Sequence, residues 1–223
     1  MLILFIFLSF LCLISCLGFG FLFCNVNKIN HYNKNIGLVG ILGLFLLSVI
    51  SSVSHLFLPH GYTHNIILLF IGIISFIYFK KKKEYNFYKI ISFIFLVLFI
   101  GILISKNNED FGYYHLTNSL QFTQHKIQFG LGNLSHGFKH ITSLFLINSI
   151  FYFPITEHYL FNITNYLFLV FFISFLIYEI FNNKIINNFS KNLILIILFL
   201  FLIKFTRLSE YGTDIAGQIL IFI

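Results

Sequence analysis

The sequence predicts an all-α, polytopic integral membrane bundle, and three observations predict it. The mean hydropathy is +0.92. Only 9% of residues are charged, against about 25% in an average soluble domain. Apolar runs near the length of a membrane span recur along the chain, separated by short polar loops. In hydrocarbon the backbone must satisfy its own hydrogen bonds, so such runs fold as helices whatever their content of β-branched Ile.

Four spans are expected within residues 1–104, at 2–24, 36–58, 64–79 and 88–104. Residues 105–158 form an extracytoplasmic loop with interfacial helices. Residues 159–223 supply two more spans, 159–181 and 192–206, and the start of a further one near 215. The first run, "MLILFIFLSFLCLISCLGFGFLFC", lacks the basic flank of a secretory signal and is too long for one, so a retained span is expected. The last, "DIAGQILIFI", stops inside the beginning of a helix, so the natural chain is expected to continue.

Lys and Arg in short loops set the orientation. The strongest signal is "KKKKEYNFYK", residues 80–89, joined by Lys28, Lys34, Lys184 and Lys191. These loops are cytoplasmic if the N-terminus faces outward, in a bacterial plasma membrane. Glu109, Asp110, Glu157, Glu210 and Asp214 then fall on the outer side, as do His60, His64, His115, His125, His136, His140 and His158. Segment 140–153 is short for a span, and a crossing there would turn Lys184 and Lys191 outward. A helix lying in or re-entering the outer interface is expected instead. Residues 112–125 carry Tyr113, Leu116 and Leu120 at helical spacing, so a second surface helix is expected there.

The net charge of +7 comes from these loops and is not a nucleic-acid signal. Cys12 and Cys16 lie one turn apart inside an apolar run and read as packing residues. "GLGNLSHG", residues 130–137, has no strand before it and reads as a turn, not a nucleotide loop. His60/His64 and His136/His140 have a spacing that can bind zinc, although interfacial histidines are more often plain hydrogen-bonding residues.

The stretch "NNEDFGYYHLTNSL", residues 107–120, sets Glu109 and Asp110 just past a span, followed by Tyr113, Tyr114 and His115. Further on, "SHGFKHITSLFLINSIFYF" precedes a long span. Over about residues 88–181 this layout resembles the GT-C superfamily of membrane glycosyltransferases, where a span is followed by an Asp-Glu-x-Tyr-Tyr motif and later by a His-Pro-Pro-Leu-Tyr-like segment. Asp110 takes the place of that family's key aspartate. Phe111 stands where the family has its second acid, His-Pro-Pro is absent, and three spans precede the acidic one. The chain also resembles bacterial integral membrane proteins of unassigned function that carry a "YH…GLGNL" stretch.

The GT-C resemblance implies transfer of a sugar from a polyprenyl-phosphate donor, a lipid, to an acceptor on the outer membrane face. It implies Asp110 as general base, with Glu109 beside it, or a carboxylate holding a divalent metal ion. Tyr113, Tyr114, His115 and His136 would bind substrate, and Lys204 and Arg207 would face the departing phosphate. Each has a plainer reading: solvated acids, interfacial aromatics, a snorkelling lysine, or ion pairing of Arg207 with Glu210 and Asp214. Two functions of other classes stay open, a transporter and a non-catalytic assembly subunit. A transporter needs polar or broken helices at mid-membrane depth, and the spans show little beyond Asn165 and Ser174.

Overall fold

Long runs of Phe, Leu and Ile close their backbone hydrogen bonds internally and then pack by shape, because lipid offers no hydrophobic drive between helices. A computed structural model shows the outcome for residues 2–29, 35–80, 85–103, 110–140, 142–182, 187–203 and 214–223. The described chain is helical, and its only strand-like feature is an isolated bridge between Phe153 and Glu157.

The main helices are α1 (Leu2–Val26), α2 (Ile36–His55), α3 (Tyr62–Phe79), α4 (Tyr85–Leu98) and α5 (Ile100–Leu103). After a π-type turn at Phe111–His115 come α6 (Leu116–Gln124), α7 (Ser143–Ile150), α8 (Ile163–Asn182), α9 (Asn188–Ile203) and α10 (Asp214–Ile221). Among the described residues, five helical segments are long and apolar enough to cross a membrane: Leu2–Val26, Ile36–His55, Tyr62–Phe79, Asn86–Leu103 and His158–Asn182. The chain is a multi-pass membrane protein on that ground.

Helix α9 is shorter, at 16 residues. The second span ends at His55, where the expected one ran to residue 58, because the chain turns there and Leu58 N bonds back to Ser54 O at 2.9 Å. The fourth span tightens at Phe99, whose carbonyl accepts from Ile102 N at 3.1 Å, separating α4 from α5. Helix α7 has eight residues, which at 1.5 Å each reach only about 12 Å. It does not cross.

Glycine decides how closely the first three helices meet. A Cβ on Gly18 would lie 1.8 Å from Gly72 O, and one on Gly43 would lie 1.9 Å from Cys16 O. Cys12, Cys16 and Cys24 are free thiols buried in this seam. Helix α8 is central, and Val170, Phe171 and Phe172 are fully buried. The Tyr166 hydroxyl donates to Phe95 O, pinning α4 to α8. Buried serines bond their own helix, as Ser9 Oγ to Phe5 O and Ser174 Oγ to Val170 O, both at 2.7 Å.

Cross-helix contacts fix which ends lie together. Asn35, which caps α2, donates to Glu179 Oε1 at 3.0 Å near the end of α8. Phe87 meets Tyr178, while Phe99 meets Tyr166. The start of α2, the start of α4 and the end of α8 therefore share one end of the bundle. The opposite end gathers the α2–α3 turn, α6, α7 and the start of α8. There His60 N bonds to Phe122 O at 2.8 Å, and Ile127 N bonds to His55 O at 3.0 Å.

Candidate functional site

The site is built at that second end. Residues 111–115 wind as a π-type turn in which Leu116 N reaches back five residues to Phe111 O. The Thr117 hydroxyl donates to Gly112 O at 2.9 Å, occupying a carbonyl in the widened turn. Such turns inside α-helices are rare and concentrate at functional sites. Across this one the Tyr114 hydroxyl donates to Asp110 Oδ2 at 3.3 Å.

Tyr114 is the hub. Its ring lies 4.3 Å from the His115 ring, 5.1 Å from His140 and 6.2 Å from Phe145 of α7. His140 Nε2 in turn lies 3.3 Å from His136 Nδ1. The loop carrying both histidines comes close because of Gly137. A Cβ there would lie 2.9 Å from Tyr113 O and 3.3 Å from Tyr114 Cβ. Asn118 Nδ2 holds the same loop by donating to Gly137 O at 3.1 Å.

The electrostatics follow from this packing. Burial raises the Tyr114 phenol above its ordinary value, and the charge and hydrogen bond of Asp110 and the charge of Asp214 act the same way. Burial lowers the His115 imidazole, against the opposite pull of Asp110 and Asp214. Both carboxylates thus act on the Tyr114–His115 pair. His115 is buried, and its Nδ1 has no hydrogen-bond partner among the described residues, nor do Asn118 Oδ1 and Ser119 Oγ on the same helical face.

An apolar cavity of about 360 Å³ is lined by Leu44 and Phe45 of α2, Thr142, Ile147 of α7, Phe168 of α8 and Gly217 of α10. Three stretches of its wall lie close to the site along the chain: Thr142 is two residues after His140, Leu144 precedes Phe145, and Ala216 is two residues after Asp214.

Of the residues singled out in the sequence, Asp110, Tyr114, His115 and His136 are brought together. Tyr113 stands at the edge, half exposed, with its ring 6.1 Å from Tyr114. Glu109, Lys204 and Arg207 lie outside the described residues. The sequence marks His140 only as a zinc-spaced partner of His136 and Asp214 only as an ion-pair partner of Arg207, and it gives no role to Asn118 or the cavity wall. The i, i+4 spacing of His136 and His140 was the available signal for one of them. The others meet the site only through folding.

A second polar cluster lies beside the first. His60 is fully buried at the α2–α3 turn. Its Nδ1 lies 2.6 Å from Ser149 Oγ, and its Nε2 lies 3.2 Å from both Ser54 Oγ and Ser51 O. Its ring stacks on His64 at 4.8 Å and lies 5.0 Å from His55. His60 precedes α3 and is not on it, so the pair meets by stacking across the helix start. Burial, then the charges of His64 and His55, press its pKa down to about 3. Asn65 Nδ2 reaches His60 O and Ser149 O at 2.9 Å and Tyr152 O at 3.0 Å. With its amide nitrogen turned toward them, Asn148 donates to Thr164 Oγ1 at 2.6 Å and Phe161 O at 3.1 Å. This cluster ties α3, α7 and the start of α8 together. Among the described residues, no group of three or more His, Cys, Asp or Glu side chains is arranged to hold a metal ion.

No curated protein and no solved structure matches the chain. A family model does match, over residues 1–223, and the chain belongs to the family described as "Domain of unknown function (DUF8201)".

Proposed function

We propose that the chain is a GT-C-like membrane glycosyltransferase that moves a sugar from a polyprenyl-phosphate donor to an acceptor hydroxyl, with Asp110 as general base. The observation that carries this reading is the Asp110–Tyr114–His140 cluster, accompanied by an apolar cavity whose wall runs within two residues of His140 and Asp214 along the chain. A lipid-linked donor needs both, a polar place for its sugar phosphate and an apolar place for its chain.

The acceptor oxygen would lose its proton to Asp110 as it bonds to the sugar's anomeric carbon. The anomeric C–O bond to phosphate would break, and its electron pair would leave with the phosphate. Donors near that phosphate stabilise the developing charge. His136 and His140 are within reach of the cluster for this role, alongside Lys204 and Arg207 in the expected scheme.

The same reading sets the protein in a bacterial plasma membrane with its N-terminus outside and the site on the outer face. Support comes from Lys28, Lys80 and Lys191, which lie by the opposite ends of α1, α3 and α9. A transporter is less well supported, since the buried histidines gather at one end of α2 and α3 and not at mid-span.

The test is transfer from polyprenyl-phosphate sugars by protein in proteoliposomes. Asp110→Asn should fold normally and lose roughly 10²- to 10⁴-fold in rate, the usual contribution of a positioned base. Undiminished transfer by that variant would reject Asp110 as the base. No transfer by the parent protein from any such donor would reject the enzyme class.

A further inference from the structure

The loop between α6 and α7 has a composition that the site does not explain. Residues 125–140, "HKIQFGLGNLSHGFKH", contain two lysines, three histidines and no acid. Their tip is apolar and exposed: Phe129 is 91% exposed and Leu134 81%. These two flank a tight turn that opens at Gly130, whose φ of +86° lies in the left-handed region, and closes through Asn133 N to Gly130 O at 2.9 Å. Lys139 packs its stem against Gly132, where a Cβ would lie 3.0 Å from Lys139 Cγ, so a basic side chain sits beside the tip.

The loop's depth is also set. Ile127 N bonds to His55 O, the last residue of a span, and residue 143 already begins α7. An exposed phenylalanine and leucine tethered to the end of a span, ringed by Lys126 and Lys139, match the interface of an anionic bilayer on two counts. The apolar side chains reach the acyl boundary, and the ammonium groups reach lipid phosphates.

We propose that residues 125–140 are a membrane-seated anchor, with Phe129 and Leu134 inserted in the leaflet and Lys126 and Lys139 bound to anionic phospholipid headgroups. The anchor holds His136 and His140 against Tyr114, so the lipid surface itself completes that wall of the site. It stands whether or not the glycosyltransferase reading does.

The chain has no tryptophan, so Phe129→Trp and Leu134→Trp each introduce a single tryptophan into the full-length protein, read with excitation that spares its 12 tyrosines. In proteoliposomes, both should emit blue-shifted light and lose most of it to acyl-brominated lipid. Replacing neutral phosphatidylcholine by an anionic mixture with phosphatidylglycerol should deepen the quenching. Lys126→Gln and Lys139→Gln should weaken that anionic preference by roughly five-fold each. Emission that stays red-shifted, is quenched by aqueous acrylamide and ignores brominated lipid overturns the proposal. So does shielding that arises only when another envelope protein is added, which would make the tip a protein-docking surface.

Discussion

The Tyr114 hydroxyl donates to Asp110 Oδ2 at 3.3 Å across a π-type turn, and the same ring lies 5.1 Å from His140. One tyrosine thus links the acid from the end of one span to a histidine on a loop 30 residues away. Removing only its donor separates orientation from packing. Tyr114→Phe keeps every ring contact and should cut sugar transfer by about tenfold, the scale of one hydrogen bond to a charged group. Initial rates in proteoliposomes check this. Unchanged rates would leave the pair a structural feature.

Gly217 offers a test of the cavity that spares the fold. It lines the cavity wall, and a Cβ built on it meets nothing within 4 Å. Gly217→Leu should therefore fill apolar space without a clash. The expected result is a higher KM for long-chain polyprenyl donors, no change for a donor cut to a short chain, and unaltered thermal stability. An equal effect on both donors would remove the chain from this cavity.

Asn65 fastens α3 to the turn before it and to α7 through three carbonyls. Leu has nearly the same size and no donor. Asn65→Leu should destabilise the protein by about 2 kcal/mol or more, because buried carbonyls lose their partner. The readout is thermal unfolding in detergent. Activity should fall only as far as the folded fraction does.

His60 makes stability depend on pH with a defined sign. Its folded pKa is pushed down to about 3 from an ordinary 6.5. Between those values the unfolded chain binds a proton that the folded chain refuses. Stability should fall as pH is lowered from about 6.5 toward about 3, and His115, also lowered by burial, acts in the same direction. His60→Asn should flatten the profile of unfolding temperature against pH and lower its neutral-pH value. A profile as steep as the parent's would assign the dependence to other groups.

The helical, membrane-spanning character was legible because it follows from composition and run length. A stretch such as "YLFLVFFISFLI" has one low-energy state in lipid. The span edges were less legible. His55 ends α2 because the chain turns to reach His60; Pro59 and Gly61 announce the turn, but nothing local announces that the helix stops four residues before Pro59. Asp110, Tyr113, Tyr114 and His115 stood out because they are polar neighbours in an apolar chain. Asp214 and the cavity wall did not, since the one acts on Tyr114 and the other assembles from α2, α7, α8 and α10 only in the folded chain.

By itself, then, the sequence determined that the backbone must be helical and that carboxylates and imidazoles lie near or beyond the ends of the apolar runs. Burying their charge in hydrocarbon costs too much for any other arrangement. Only the tertiary structure decided which of those groups meet. Close approach at Gly18, Gly43 and Gly137 sets the helix and loop spacing to within an ångström. That spacing, which no single segment encodes, selects Tyr114 as the residue shared by Asp110, His115 and His140.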